Sequence, residues 1–342
     1  MKTVLVVGGA GYVGSHTTLH LAQYGYKVII LDSFVHGPQP PTPWATVVSA
    51  DMADRGALES IFSLHKIAAV IHCAAFMDVG QSVKYPLMYY ANNVANSITL
   101  LEVMAKYEVK QLVFCSSSAV YGVPRMVPIG ETEPCVPINP YGMSKYMGEK
   151  IIEDAGRAHG IRSVFLRFFN VAGAHPGGYG LGEFHTPETH IIPLLLTAIR
   201  QKKPFHIFGG TYPTPDGTCI RDYVHVLDVA DAQLKSLQFL EAGGTNCAVN
   251  IGSGIGTSVA QLVAMVEKVT NTRMQTNVVP GRVGDPAALV ADISQASACL
   301  GWQPVHSDLA WIIKTACASE PTLFLPVSNF AKVSTDRRRG QE

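Results

Sequence analysis

Gly8-Gly9-Ala10-Gly11-Tyr12-Val13-Gly14 is the stretch that decides the fold of this chain. The apolar run Thr3 to Val7 before it has the composition of a buried strand, and a helix-like pattern follows as far as Tyr24. Glycines at this spacing permit a tight turn, close approach of the backbone to a pyrophosphate, and close packing of helix on strand. The helix N-terminus then stabilises the phosphate charge. The order of strand, glycine turn and helix predicts the first unit of a doubly wound parallel sheet.

An acidic residue closes the second predicted strand. This strand runs from Lys27 to Leu31, and Asp32 follows it. A carboxylate here can accept hydrogen bonds from the adenosine ribose hydroxyls and repels a 2′-phosphate. The pattern therefore predicts a dinucleotide and favours NAD over NADP. Asp51-Met52, after the strand Thr46 to Val48, is a candidate adenine contact, although an acid in this position is as commonly a helix cap.

Three later strands bring further candidates to the same sheet edge, since ligands of open α/β sheets bind at the carboxyl ends of strands. The predicted strands are Ala69 to His72, Gln111 to Ser116 and Arg162 to Arg167, followed respectively by Cys73-Ala74-Ala75, Ser116-Ser117-Ser118 and Asn170. Asn92 and Asn93 are predicted to open a helix that runs to Tyr107. Asn93 is a candidate site residue, with helix capping as the alternative.

Tyr141-Gly142-Met143-Ser144-Lys145 begins another predicted helix, which runs to His159. A tyrosine and a lysine four residues apart lie on one helix face. The ammonium group is expected to lower the pKa of the phenol, so that Tyr141 becomes a candidate general base. Tyr-x-x-x-Lys is common by chance, but the glycine turn and the serine cluster make hydride chemistry at an alcohol carbon the better interpretation.

Composition narrows the class of partner. The 342 residues include 26 basic and 26 acidic side chains, and this balance argues against nucleic acid and against an anionic membrane surface. A small molecule is the expected ligand. The seven scattered cysteines include no Cys-x-x-Cys pair, which indicates reduced thiols, and we expect no metal. The first apolar run is too short for a membrane span or a secretion signal, so a cytoplasmic protein is expected.

The composition changes from about Gly173 towards Gly, Pro, His and Thr, and no regular alternation of strand and helix is predicted before the helix Val226 to Leu240. We predict an α/β fold with a Rossmann-type cofactor domain over 1–172, which segments around 221–250 rejoin. A smaller mixed α/β lobe follows over 173–320, and a loosely ordered tail over 321–342. The proline-rich segment 36–43 is predicted to be a loop. Arg221 and Arg282 suit bidentate phosphate contact, although surface arginines are the commoner case.

These motifs together resemble the UDP-glucose (UDP-galactose) 4-epimerases of the extended short-chain dehydrogenase/reductase family, from Val4 to about Trp302. The resemblance rests on Val7 to His16, Asn139 to Gly142, Arg167 to Ala174, and Phe208 through Arg221 to Val226. The last two segments are the most diagnostic of the four.

The resemblance implies a function and a set of site residues. It makes Ser117, Tyr141 and Lys145 the catalytic residues of a reversible epimerisation at sugar C4 through a transient 4-keto sugar, and it implies a homodimer formed by the helices Asn92 to Tyr107 and Tyr141 to His159. It assigns NAD binding to Gly8, Gly11, Tyr12, Val13, Gly14, Asp32, Ser33, Asp51, Met52, Cys73, Ala74, Ala75, Asn93, Ser116, Tyr141, Lys145 and Phe169. It assigns UDP-sugar binding to Ser117, Tyr141, Asn170, His190, Ile191, Phe208, Arg221, Arg282, Asp285 and Leu289.

Some residues depart from the family pattern, and others distinguish this family from related sugar-nucleotide enzymes. Met77 stands where some members have a lysine that contacts the cofactor, and Leu289 has an intermediate size at a position that sets the sugar pocket. Ser118 and Ala119 replace the acids expected of a 4,6-dehydratase or a UDP-glucuronate decarboxylase. Epimerases of UDP-pentoses, UDP-glucuronate or UDP-N-acetylhexosamines stay open. A nucleotide sensor without turnover is the alternative from another class.

Overall fold

A computed structural model describes residues 1–35, 37, 42–185, 187–282 and 285–319. Most of the predicted loop 36–43 and all of the predicted tail 321–342 lie outside the described residues. The strands are β1 (Thr3–Val7), β2 (Lys27–Asp32), β3 (Ala45–Ser49), β4 (Ile67–His72), β5 (Gln111–Ser117), β6 (Arg162–Phe168), β7 (Asn170–Ala172), β8 (Phe205–Phe208), β9 (Ile220–His225), β10 (Cys247–Ile251), β11 (Gly256–Ser258), β12 (Thr276–Val279) and β13 (Ala288–Leu289).

The α-helices are likewise numbered along the chain: α1 (Tyr12–Gln23), α2 (Arg55–Leu64), α3 (Val79–Lys84), α4 (Pro86–Tyr90), α5 (Asn96–Lys106), α6 (Pro140–His159), α7 (Ile191–Gln201), α8 (Val226–Glu241), α9 (Val259–Thr270), α10 (Ser294–Leu300) and α11 (Leu309–Ser319). A π-helical turn, Ala91–Ala95, joins α4 to α5, and a 3-10 turn, Ser118–Val120, follows β5. Among the described residues, no helix is long and apolar enough to cross a membrane.

The largest sheet is parallel, with seven strands in the order β10-β6-β5-β4-β1-β2-β3. Alternate residues of its central strands point to opposite faces, and both faces are apolar. Val4 and Val6 of β1 pack with side chains of α1 and α8. Leu5 and Val7 pack on the other face with side chains of α2, α5 and α6. Helices therefore cover both faces, which confirms the predicted Rossmann-type doubly wound sheet.

The remaining strands form smaller sheets after residue 169. Strand β9 lies between β11 and β13 and also pairs with β7, while β8 pairs with β12. Side chains of α7, α9 and α11 form a separate apolar cluster beside them. Strand β10 joins the large sheet next to β6, and α8 packs on that sheet. The domain bounds at 172 and 320 stay predictions.

One local prediction was wrong. Asn92 and Asn93 do not open a helix, because a helical run already begins at Pro86, whose fixed φ suits a first helical position. Between Gly173 and Val226, where no regular alternation of strand and helix was predicted, helix α7 is followed by the strands β8 and β9. Helix α7 is strongly apolar on one side and buries Leu195 and Leu196.

Candidate active site

A cavity of about 1000 Å³ lies at the carboxyl edge of the large sheet. Its walls come from the ends of β1, β2, β4 and β5, from the start of α6, and from loops of the second half of the chain. Every predicted site residue except Asn93 and Phe208 lines it. The fold therefore brings together residues that are up to 281 positions apart in sequence, Gly8 and Leu289, on one concave surface.

The glycine turn forms part of the wall of this cavity. Gly8 has φ +78°, and a Cβ atom there would lie 2.5 Å from the backbone nitrogen of Ala74. A Cβ atom at Gly14 would lie 2.1 Å from the carbonyl oxygen of Gly8. Gly11 is the N-cap of α1 and has no side chain that could cap the helix. The first turn of α1, which lines the cavity, therefore has no side-chain cap. The backbone is thus shaped as a cradle for an anionic group.

Acidic side chains line the cavity near this turn. Asp32 accepts hydrogen bonds from the backbone nitrogens of Ala10 at 2.9 Å and Phe34 at 2.9 Å, which fixes the carboxylate at the end of β2. Asp51 accepts one from the backbone nitrogen of Ala53 at 2.7 Å. Ser33 and the buried Met52 complete this wall.

The cavity is also lined by small residues and by Tyr12. The backbone nitrogens of Cys73 and Ala74 both donate to the carbonyl of Val7, at 2.8 and 2.9 Å, which brings this segment against the glycine turn. Ala75 continues the same wall, and Val13 lines the turn itself. The Tyr12 hydroxyl donates to the carbonyl of Gly173 at 2.5 Å. Tyr12 therefore fastens α1 to the segment after β7.

Asn93 is not on the cavity surface. Its side chain is 4 % exposed and bonds both backbone groups of Phe76, at 2.8 and 2.9 Å, and the Ser144 hydroxyl at 3.0 Å. It thus holds the wall segment around Phe76 against α6. Asn92, its neighbour, lines the cavity instead.

Ser117, Tyr141 and Lys145 all line the cavity. Asn139 caps α6 by accepting from the backbone nitrogen of Gly142 at 2.8 Å, and this cap places Tyr141 in the first turn. Ser117 is the last residue of β5, and its hydroxyl interacts with the Tyr141 phenol so as to lower the pKa of that phenol. Lys145 donates to the carbonyl of Cys115 at 2.7 Å. The Ser117 hydroxyl and the Tyr141 phenol thus lie beside each other on the cavity surface.

The electrostatics differ from the sequence prediction. Burial raises the pKa of Tyr141 above its ordinary value, and the Ser117 hydroxyl opposes this shift. Burial also lowers the pKa of Lys145, whose ammonium is held at the Cys115 carbonyl and over the Phe114 ring. The expected lowering of the Tyr141 pKa was therefore wrong for this structure, because burial raises this pKa and the opposing effect comes from Ser117 rather than from Lys145.

Two arginines from the second half of the chain also line the cavity. Arg221 pairs with Asp285 and also donates to the carbonyl of Ile220 at 2.7 Å. Arg282 lies 4.2 Å from the ring centroid of Phe208. Phe208 itself is 41 % exposed and outside the cavity, so in this structure it supports an arginine rather than the cavity wall.

The remaining predicted residues line the cavity from other elements. Asn170 begins β7 beside Phe169, and Ser116 precedes Ser117 on β5. His190 is the N-cap of α7 and Ile191 its first residue. Leu289 of β13 is in register with Arg221 of β9. The sequence analysis missed Glu183 and His185, which also line the cavity. The signal was present, because two histidines and two glutamates fall between 183 and 190.

The fold and site together define a class: an α/β enzyme whose cavity is lined by a dinucleotide cradle and by a serine, a tyrosine and a lysine suited to hydride and proton transfer. The chain belongs to the NAD dependent epimerase/dehydratase family, whose model matches residues 4–252. The predicted NAD cofactor and the predicted family are thereby confirmed.

Particular relatives have a more specific name. The chain is 44 % identical to a UDP-glucose 4-epimerase of Rhizobium leguminosarum bv. trifolii over 92 % of its own length and 96 % of that protein. A crystal structure of UDP-glucose 4-epimerase from Brucella ovis in complex with NAD is 42 % identical, has a TM-score of 0.90, and is matched over 92 % of this chain and 97 % of that one. The UDP-glucose 4-epimerase from Bifidobacterium longum in complex with NAD+ and UDP is 34 % identical, with a TM-score of 0.86 and coverage of 92 % and 97 %.

Proposed function

We propose that this chain is an isomerase that interconverts UDP-galactose and UDP-glucose at sugar C4 and retains NAD between turnovers. The observation that carries the proposal is that one cavity is lined by Ser117 and Tyr141, by the glycine cradle, and by Arg221 and Arg282. The relatives named UDP-glucose 4-epimerase, which match over nine tenths of the chain, support the same activity.

The residues around the glycine turn fit NAD. The cradle of Gly8 and Gly14 has no room for side chains, so a pyrophosphate can approach the backbone at the start of α1. Asp32 stands at the end of β2, where a carboxylate meets ribose hydroxyls. When bound, NAD supplies the acceptor and then the donor of a hydride at the sugar carbon.

Proton transfer is then assigned to side chains of this chain. Tyr141 as phenolate accepts the proton of the sugar C4 hydroxyl and later returns it. The Ser117 hydroxyl donates to the same sugar oxygen while it is a carbonyl, which stabilises the charge that develops there. Lys145, four residues after Tyr141, holds its position through the Cys115 carbonyl and contributes a cation beside the reacting groups.

The part of the cavity wall that holds the two arginines suits a UDP group. Arg221 and Arg282 supply positive charge for a diphosphate, and the pairing with Asp285 keeps the Arg221 guanidinium in a fixed orientation. A diphosphate held there leaves the sugar free to turn between two orientations, each of which presents a different face of C4 to the reaction centre. The net change is inversion at C4 with no second substrate.

The proposal is tested by incubating the purified chain with UDP-galactose, without added NAD, and following UDP-glucose by chromatography. We expect conversion to an equilibrium mixture of the two sugars. The matched variant is Tyr141→Phe, which keeps the ring but removes the base and should lose turnover by about 100-fold or more. The proposed substrate would be wrong if the wild-type chain, supplied with NAD, did not convert UDP-galactose but did epimerise UDP-pentoses.

A homodimer is part of the proposal. Apolar side chains are exposed on the predicted helix pair and its neighbour: Ile98 on α5 at 42 %, Met147 on α6 at 40 % and Leu87 on α4 at 80 %. Sedimentation velocity should give a dimer for the wild-type chain and a monomer for the double variant Ile98→Glu and Met147→Glu. Val278→Glu, which changes an exposed residue on β12, is the control and should stay dimeric. The cytoplasmic location stays a prediction from the sequence.

A further inference from the structure

A group of metal-ligating side chains lies in the wall of the same cavity. Glu183, His185 and His190 each offer one ligand atom, and these atoms lie within 4.8 Å of one another. The three residues belong to the segment between β7 and α7, and all three line the cavity. They were not predicted as a metal site, because no regular ligand spacing marks them in the sequence.

The contacts within this group converge on one carboxylate. The Nδ1 atom of His185 hydrogen-bonds one oxygen of Glu183, and the Nδ1 atom of His190 lies 3.7 Å from the other. The His190 Nδ1 atom also lies 2.9 Å from the Glu188 carboxylate. The side chains are 13 % exposed for His185 and 36 % for His190. Ions can therefore reach the group from the cavity.

Charge gives a reason for a cation at this place. Glu183 lines a cavity that would receive an anionic diphosphate, and the repulsion between its carboxylate and that anion needs compensation. The His185 and His190 imidazoles at the two Glu183 oxygens supply one form of compensation. A divalent cation bound by the same three ligand atoms supplies another form of compensation. Such a cation binds the imidazoles in their neutral form.

We propose that Glu183, His185 and His190 bind a zinc-class divalent metal ion in the cavity wall, and that the bound ion inhibits turnover. Two imidazoles and one carboxylate are typical ligands of Zn²⁺, whereas Mg²⁺ and Ca²⁺ prefer oxygen alone. The bound ion holds the His190 imidazole, which is then no longer free to contact a ligand in the cavity. Metal binding itself does not depend on the proposed function, but the inhibition rests on it.

Binding is measured first, on untagged full-length chain treated with a chelator. Titration with Co²⁺ should give visible bands of a low-symmetry site at one equivalent, and Zn²⁺ should displace them. His185→Ala and Glu183→Gln should each weaken Co²⁺ binding by about 10-fold or more. His206→Ala is the matched control, because His206 is an exposed histidine on β8, away from the cavity, and should bind as the wild type does.

Three outcomes overturn the metal site. They are no cobalt spectrum, equal binding by the wild type and His185→Ala, and an intense near-ultraviolet band of thiolate ligation. The last would assign the ion to Cys73 and Cys115, whose sulfur atoms lie 3.3 Å apart. Thermal unfolding of each variant shows that it is folded, and Glu183→Gln supplies a second test if His185→Ala is not.

Inhibition is measured separately, as the ratio of UDP-galactose turnover without and with Zn²⁺. The wild-type ratio should exceed that of His185→Ala by about 10-fold at a zinc concentration that saturates the wild type. Equal ratios, with metal binding intact, would overturn the inhibitory role alone. Failure of the proposed epimerisation leaves the cobalt measurement unaffected, so the two proposals fail independently.

Discussion

Arg167 on β6 and Glu149 on α6 form a buried bidentate ion pair, with Nη2 to Oε2 at 2.7 Å and Nε to Oε1 at 3.0 Å. The same Oε1 atom accepts a hydrogen bond from the Ser116 hydroxyl at 2.5 Å. Glu149 thus joins the helix that carries Tyr141 to the strand that ends in Ser117. The pair is placed to set the distance between the proposed base and the proposed hydrogen-bond donor.

Replacing the carboxylate should destabilise the fold. Glu149→Gln leaves the Arg167 guanidinium, in a residue only 7 % exposed, without its counter-charge, and loss of one partner of a buried pair costs about 3–5 kcal/mol. Urea unfolding measures this change. The control is Arg157→Ala, which breaks an exposed pair with Asp154 on the same helix and should have little effect. An unchanged urea midpoint for Glu149→Gln would show that the pair is not needed for stability.

The cofactor half of the fold was largely predictable from the sequence, because its signals are local. A buried strand, a glycine turn and Asp32 lie within 32 residues, and each feature has its own physical reason. The side-chain environments were not predictable. Asn93 is turned away from the cavity by bonds to Phe76 and Ser144, and neither partner is near it in sequence. The Tyr141 pKa depends on burial, which only tertiary packing determines. The Glu183 and His185 group likewise forms only when its loop folds against α7.

Turnover should depend on pH through Tyr141. Burial raises the pKa of this phenol, so the phenolate needed as base is depleted as the pH falls below that raised value, and kcat should rise with pH. Ser117→Ala removes the hydroxyl that lowers this pKa. The rising limb of kcat should then move to higher pH, and kcat should fall by about 100-fold through loss of the donor.

Ser117→Thr keeps the hydroxyl and serves as the control, whose rising limb should coincide with that of the wild type. The measurement is kcat for UDP-galactose across the alkaline limb, with bound NAD monitored by absorbance in every variant. If Ser117→Ala loses activity without any movement of the limb, the serine acts on the sugar alone and does not tune Tyr141.

Acid should destabilise the chain through buried histidines. The Nδ1 atom of His16 lies 2.7 Å from the Tyr12 carbonyl, and the Nε2 atom accepts from the His175 backbone nitrogen at 3.1 Å, so both ring nitrogens are satisfied in the neutral form. Burial is the main reason that the pKa of His16 falls to about 4. Since the unfolded histidine titrates near 6.5, the unfolded chain binds more protons below that pH. Stability is then lost as the pH falls from about 6.5 to about 4, by about 3 kcal/mol for this residue.

The slope of unfolding free energy against pH tests this account, because it counts the protons taken up on unfolding. His16→Met should be less stable than the wild type at neutral pH, since its hydrogen bonds are gone, but its slope between pH 6.5 and pH 4 should be smaller by about one proton. Carboxyl groups whose pKa is lowered in the folded chain, such as that of Asp292 beside Ser294, change the stability at lower pH. They therefore do not alter the comparison of the two slopes. Equal slopes in the two chains would mean that His16 takes up its proton in the folded state.

Sugar selectivity should respond to Leu289. This residue is half-buried in the cavity wall, and its register with Arg221 on the parallel strand β9 places the two side chains on the same face of their sheet. Its size therefore sets the space between the arginine that would hold the diphosphate and the wall around the sugar. Leu289→Ala should raise kcat/KM for UDP-N-acetylglucosamine relative to UDP-glucose by roughly 10-fold, and Leu289→Tyr should lower it, because room for the N-acetyl group is gained or lost.

Both ratios are measured by chromatography of the epimerised products. Equal ratios in the alanine variant, the tyrosine variant and the wild type would place the selectivity of the pocket elsewhere in the wall.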